Sequence, residues 1–173
     1  MHIFGAYPPL QILELNNIKE RFLVKGRLDN ILELKKYRVL LAPIRFGAGL
    51  KGKFIEAMQN FTPSITTKIG SEGIIDTHKW SGSICTSNED ISNKSIQLYT
   101  NNTIWQEAQK NGIEILNSNF NKEFFQNIFK EKLLFLSKKL TKHRNSNFIG
   151  QVLQYHTLQS TKYLSKWIEE KNK

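Results

Sequence analysis

The stretch from Val39 to Gly73, VLLAPIRFGAGLKGKFIEAMQNFTPSITTKIGSEG, constrains the fold more than any other part of the chain. A short apolar run ends at Pro43, and a loop rich in glycine and lysine follows. Apolar residues then recur at helical spacing. A second β-type run, Ser64 to Thr67, leads into a second glycine loop, Gly70 to Gly73. Strand, glycine loop and helix in that order make an anion site. The first turn of a helix carries backbone N–H groups without intrahelical partners, and the helix dipole is positive at that end. A nucleotide suits such a site.

The helix is predicted over Leu50 to Asn60. Leu50, Phe54, Ala57, Met58 and Phe61 recur at i, i+4, i+7, i+8 and i+11, an apolar stripe that packs against a sheet. Gly49, Gly52, Lys53 and Glu56 follow i, i+3, i+4, i+7 and fall on a different face. The two glycines lack a Cβ, so a ligand can approach the backbone N–H groups of the first turn. Lys51 and Lys53 then favour a diphosphate there. Glu56, one to two turns further in, is placed to accept from sugar hydroxyls. The plain alternative is a solvated face for Lys53 and Glu56 and a simple turn at Gly47 and Gly49.

Two known phosphate motifs overlap the loop. Gly47 to Lys53 satisfies G-x-x-x-x-G-K, but the next place is Phe54, not the Ser or Thr that holds magnesium in a P-loop. Gly47, Gly49 and Gly52 satisfy G-x-G-x-x-G, with Glu72 at a distance suited to a ribose. That fingerprint, however, opens the first strand-to-helix turn of its domain, and two β-type runs precede this one. The third reading, a nicotinamide-dependent oxidoreductase, rests on that match alone.

PIRFGAGLKGKFIEAMQNFTPSITTKIGSEGI resembles the donor-binding segment of GT-B-type retaining glycosyltransferases of the large group 1, or family 4, type. The likeness rests on Arg45, Phe46, Gly47 and Gly49 in the first loop and on Lys53. It continues through Glu56-Ala57-Met58, the strand-opening Pro63, and Gly70-Ser71-Glu72-Gly73. It implies a Rossmann-like parallel sheet with helices on both faces. It also implies that Glu56 holds the donor ribose and that Gly47, Gly49, Leu50 and Lys53 hold the diphosphate, with Arg45 or Lys51 as helpers. Ser71 and Glu72 of the second loop border the same site. Arg45 and Lys53 take the catalytic role, neutralising charge on the leaving diphosphate. The donor is a nucleoside-diphosphate sugar, and no essential metal is implied. Many members carry a further glutamate N-terminal to this one for contact with the sugar; that place is Ala48 here, which leaves the sugar open.

The remaining chain fits an α/β domain. Strands are predicted at His2 to Ala6, Phe22 to Lys25, Val39 to Pro43, Ser64 to Thr67 and Ile84 to Thr86. Helices are predicted at Leu10 to Leu15 and, capped by Asp29, up to Tyr37. Alternating strands and helices make a parallel sheet with both faces covered, with ligands at its carboxyl edge near Arg45 and Gly70 to Gly73. Beyond Asn88 helices are predicted near Ile91 to Tyr99, Thr103 to Leu116, Lys122 to Lys142 and Asn147 to Glu170. The domains read as 1–119, an incomplete donor domain, and 120–173, C-terminal helices that in the family pack toward an N-terminal acceptor domain. By the resemblance, that domain and the first, central strand of the sheet should precede His2. Without them the sheet would expose unpaired groups at its middle. Two explanations are open, a truncated reading frame or a second polypeptide that completes the fold; truncation is favoured, and the chain is expected to be a fragment inactive alone.

Charge and composition bound the partners. Of the net charge of +10, residues 122–173 hold 11 Lys and Arg against 4 Asp and Glu. Such a balance suits anionic partners, and a non-catalytic basic module on an anionic membrane or nucleic acid is the alternative function. No nucleic-acid module is recognised, and none is expected as partner. A single cysteine, Cys85, allows no internal disulfide. With neither a signal pattern nor a membrane span in the sequence, a cytoplasmic location is expected, with peripheral contact at the inner face of the membrane. The four histidines, His2, His78, His143 and His156, show no metal-ligand spacing and read as structural or exposed.

Overall fold

The structure is a computed structural model describing residues 1–75 and 77–173, without the side chains of 156–158. It contains two compact units, Met1–Asn121 and Lys122–Lys173. The side chain of His156, singled out in the sequence, lies outside the described residues.

The first unit holds five strands: β1 (His2–Phe4), β2 (Leu23–Gly26), β3 (Leu40–Leu41), β4 (Ser64–Thr67) and β5 (Gly82–Cys85). Every pairing among them is parallel, with His2 opposite Leu23, Leu40 opposite Ser64, and Ser64 opposite Gly82. Between them lie α1 (Leu10–Leu13), a 3-10 helix (Ile31–Lys36), α2 (Gly52–Gln59) and α3 (Lys68–Ser71). The helices α4 (Asn88–Thr100) and α5 (Asn102–Asn119) follow β5. The α/β fold is the one predicted, but the sheet is parted. Strands β1 and β2 form one sheet, and β3, β4 and β5 form another.

Both faces of the three-stranded sheet are covered. Successive residues of a strand point to opposite faces. On one face Leu40, Ala42 and Ile44 pack against a cluster of Phe54 and Met58 from α2, Ile74, Trp80 and Ile115. On the other, Ile65 and Val39 meet Cys85, Leu98 of α4 and Ala108 of α5. Helix α5 thus serves both clusters, and Gly112 lets it approach: a Cβ there would lie 2.7 Å from Ser81 Oγ. Burial, with the Asp90 carboxylate behind it, pushes the Cys85 thiol up, so it packs as a small apolar group.

Local chemistry moves several boundaries. Asn30, not Asp29, caps the segment to Tyr37, accepting from the Leu32 N–H at 3.0 Å. That segment forms a 3-10 helix, Ile31–Lys36, rather than an α-helix. Helix α2 starts at Gly52 rather than Leu50, because Gly49 sits at φ +68 and Lys51 at φ −95, ψ 89. Leu50, before the helix, and Phe61, past its end at φ 56, were expected on the buried stripe and are exposed, while Phe54, Ala57 and Met58 are buried. Strand β5 starts two residues early, at Gly82, whose backbone lies so close to Ser64 that a Cβ would sit 2.0 Å from the Ser64 carbonyl oxygen.

The second unit consists of α6 (Lys122–Lys138), α7 (Leu140–Ser146) and α8 (Phe148–Lys171). The helix expected through Lys142 breaks at Lys139, which leaves helical geometry at φ −125. Asn147 caps α8, accepting from the Gly150 N–H at 3.0 Å. Phe124, Phe129, Phe135, Phe148, Tyr163 and Trp167 are all exposed.

Truncating the fully buried Phe54 to alanine should cost about 3–5 kcal/mol of unfolding free energy in urea titration. Phe46→Ala, at a position 87% exposed, should stay within about 0.5 kcal/mol of wild type. Equal losses would show that α2 is not the packed helix described.

Candidate functional site

The chain leaving β3 is tied to β4 before it enters the glycine loop. Thr66 donates its hydroxyl to the Ala42 carbonyl at 2.9 Å, and Thr67 donates to the Ile44 carbonyl. These two threonines were not singled out in the sequence, although adjacent hydroxyls at the end of a strand are the available signal. Beyond Ile44 the loop is exposed, and Gly47 at φ +149 and Gly49 at φ +68 turn it back toward α2. No atom lies within 4 Å of a Cβ built on Gly49, so that backbone is open to a ligand.

Lys51 behaves differently from the other basic residues. Its stem runs under Gly47, where a Cβ would lie 3.8 Å from Lys51 Cε. The side chain is only 9% exposed, and its Nζ has no hydrogen-bond partner among the described residues. Among the described residues its counter-charge is Glu72 Oε2 at 3.8 Å, on a side chain 72% exposed. Leu50 braces the two loops, with Cδ2 3.1 Å from where a Gly73 Cβ would be.

The tip of α2 lies beside this ammonium in sequence and is uncapped. Lys51 occupies the N-cap position and supplies no side-chain hydrogen bond. The Phe54 N–H donates to the Lys51 carbonyl at 3.1 Å, which leaves the Gly52 and Lys53 N–H groups without an intrahelical acceptor. Glu56 is half-buried, with Oε1 4.0 Å from the Cβ position of Gly52, so its carboxylate lies along the first turn. The arrangement can bind an anion at the tip and accept hydrogen bonds a turn further in.

The other candidates separate. Arg45 and Lys53 are exposed, as are Gly47 and Gly49. Ser71 is buried, and its hydroxyl donates to the Lys68 carbonyl at 3.1 Å within the short α3. Glu72 pairs with the Lys51 ammonium at 3.8 Å. No three His, Cys, Asp or Glu side chains converge as a metal site among the described residues.

A family model described as "Glycosyl transferases group 1" matches residues 1–101, more than half of the chain. The chain belongs to that family. Its fold is shared with a point mutant of S. aureus TarM, solved with Fondaparinux, alpha-GlcNAc-glycerol and UDP. The identity is 19% and the TM-score 0.61, over 75% of this chain and 28% of that one. A second structure of TarM matches at 18% identity and TM-score 0.59, over the same shares. This group 1 chain therefore spans under a third of the length of TarM. Among curated proteins no sequence matches it.

An ammonium held out of water without a hydrogen bond costs stability. Lys51→Met keeps the apolar stem and removes that charge. In ligand-free protein it should raise unfolding free energy by about 1 kcal/mol. A loss of that size would mean the ammonium is satisfied within the folded chain.

Proposed function

We propose that this chain is the donor-binding part of a glycosyltransferase and holds a nucleoside-diphosphate sugar. The diphosphate lies on the α2 tip and Lys51, and the ribose on Glu56. The sugar passes to a hydroxyl acceptor bound by a separate acceptor domain, with anomeric configuration retained. One observation carries the reading: a lysine ammonium, nine-tenths buried and without a hydrogen bond among the described residues, on the residue that precedes an uncapped helix tip. A built but unsatisfied cationic site calls for an anion of matching charge. Family membership and the UDP held by TarM support a nucleoside diphosphate.

The chemistry asked of this half is electrostatic. When the bond from the sugar C1 to the diphosphate oxygen breaks, the electron pair stays on that oxygen. The Gly52 and Lys53 N–H groups and Lys51 stabilise the growing charge. Lys53 and Arg45, exposed on the same loop and first turn, add to it by swinging onto the phosphates. In this reading protein cations rather than a metal take that charge. Glu72 is the internal anion that the diphosphate displaces from Lys51.

Isothermal titration with UDP and with inorganic pyrophosphate separates these roles. Lys51→Met should weaken both ligands about tenfold or more, the scale of one charge-assisted hydrogen bond. Glu56→Ala should weaken UDP and leave pyrophosphate unchanged, whereas Glu72→Gln should tighten both several-fold. Equal heats for wild type and Glu56→Ala with UDP would remove the ribose role.

A second surface favours a further contact. No described helix is long and apolar enough to cross a membrane. Residues 122–173, however, combine a local excess of seven positive charges with exposed Phe124, Phe129, Phe135 and Trp167. That combination suits peripheral docking on an anionic leaflet. Flotation with phosphatidylserine vesicles should carry the chain at low salt. Changing Lys138, Lys139 and Lys142 to glutamine together should reduce it; unchanged flotation would remove this reading.

A further inference from the structure

The cationic loop faces a carboxylate. Residues 45–53, RFGAGLKGK, carry three basic side chains and no acid. Glu72, from the second loop, places Oε2 3.8 Å from the Lys51 ammonium. At that distance, and without a hydrogen bond, the pair satisfies the ammonium only in part.

The backbone that carries Glu72 is pinned on both sides. Ser71 before it is buried, with its hydroxyl on the Lys68 carbonyl. Ile74, two residues on, is wholly buried in the cluster of Phe54 and Trp80. Between them Gly73 turns at φ +76, with Leu50 Cδ2 3.1 Å from where its Cβ would be. The Glu72 side chain is 72% exposed and free to rotate about this fixed base. An anion that takes Lys51 therefore displaces the carboxylate but keeps it as a close neighbour.

The identity of that anion changes during sugar transfer. With the ribose on Glu56, a nucleoside diphosphate runs from α2 outward past the tip, so its terminal phosphate meets Lys51 and Glu72. In the donor this phosphate is esterified to the sugar and holds about one negative charge. In the product the bond to the sugar is gone, the electron pair has stayed on the terminal oxygen, and the phosphate holds about 1.5 to 2 near neutral pH. Lys51 attracts the added charge and Glu72 repels it, each in proportion to its size.

We infer that Glu72 is a specificity-determining residue that disfavours the spent nucleoside diphosphate relative to the nucleotide-sugar. It offsets the extra hold that Lys51 alone would have on the product, so that product is exchanged for fresh donor. The inference rests on the donor site proposed above.

Isothermal titration of the full chain with UDP, UDP-glucose and the terminal methyl ester of UDP tests it. The methyl ester has the charge of the donor and no sugar. Glu72→Gln removes the charge at an exposed position with little change of shape. It should tighten UDP at least threefold more than it tightens UDP-glucose, and the methyl ester should follow UDP-glucose. Glu123→Gln, an equal change of net charge on α6, should alter none of these ratios. Equal gains for UDP and the two esters would overturn the inference and leave the donor site standing. A methyl ester that follows UDP would trace the difference to sugar contacts and overturn it as well. If the wild-type chain binds none of the three, the donor reading fails and this inference with it.

Discussion

The ring of Phe54 is where the parts of the first unit converge. It is wholly buried and stands edge-on to Trp80, with centroids 5.3 Å apart. Trp80 in turn donates its indole N–H to the Ser64 carbonyl at 3.1 Å, so ring and strand are held together. Gly70 lets the second loop pass: a Cβ there would lie 3.2 Å from Phe54 Cε2 and 1.9 Å from Thr66 Oγ1. Burying such a ring is worth about 2–3 kcal/mol. Its larger consequence is directional, because it sets α2 across the sheet with the Gly52 end at the carboxyl edge of β3 and β4. Everything chemical in the site hangs from that orientation.

Around this core the site departs from what stability alone would choose. The helix tip has no side-chain cap, Gly49 sits in a conformation most residues resist, and the Lys51 ammonium is buried without a hydrogen bond among the described residues. The open tip and the buried ammonium cost free energy in the empty protein, and in the proposed reading an anion at the same place relieves both. The threonines at the end of β4 keep these costs local. Their hydroxyls hold the carbonyls of Ala42 and Ile44, so the loop is anchored where it begins and open where it turns.

Much of this was legible in the chain. Strand β4 falls at Ser64–Thr67 as its β-branched run predicts, and the parallel α/β pattern follows from the alternation of short strands and helices. The glycine loop and Glu56 announce a tip and an acceptor. The burial of Lys51 was not legible, because helical periodicity puts Lys53 rather than Lys51 on the face with Glu56. Only the positive φ values at Gly47 and Gly49 fold the Lys51 stem inward and leave Lys53 in solvent. Nor could spacing show that the Ser71 hydroxyl is used within its own turn. The break at Lys139 escaped for a related reason, since nothing in the composition near it stops a helix.

The coupling of a packed helix to an open, cationic tip is best tested by following backbone amides of the full chain in a 1H–15N correlation titration with UDP. The largest shifts should fall on Gly49, Gly52 and Lys53, with smaller ones at Glu56 and Gly73 on the rim. Shifts confined to residues 122–173, or a silent α2 tip at millimolar nucleotide, would contradict the assignment of this helix as the diphosphate site.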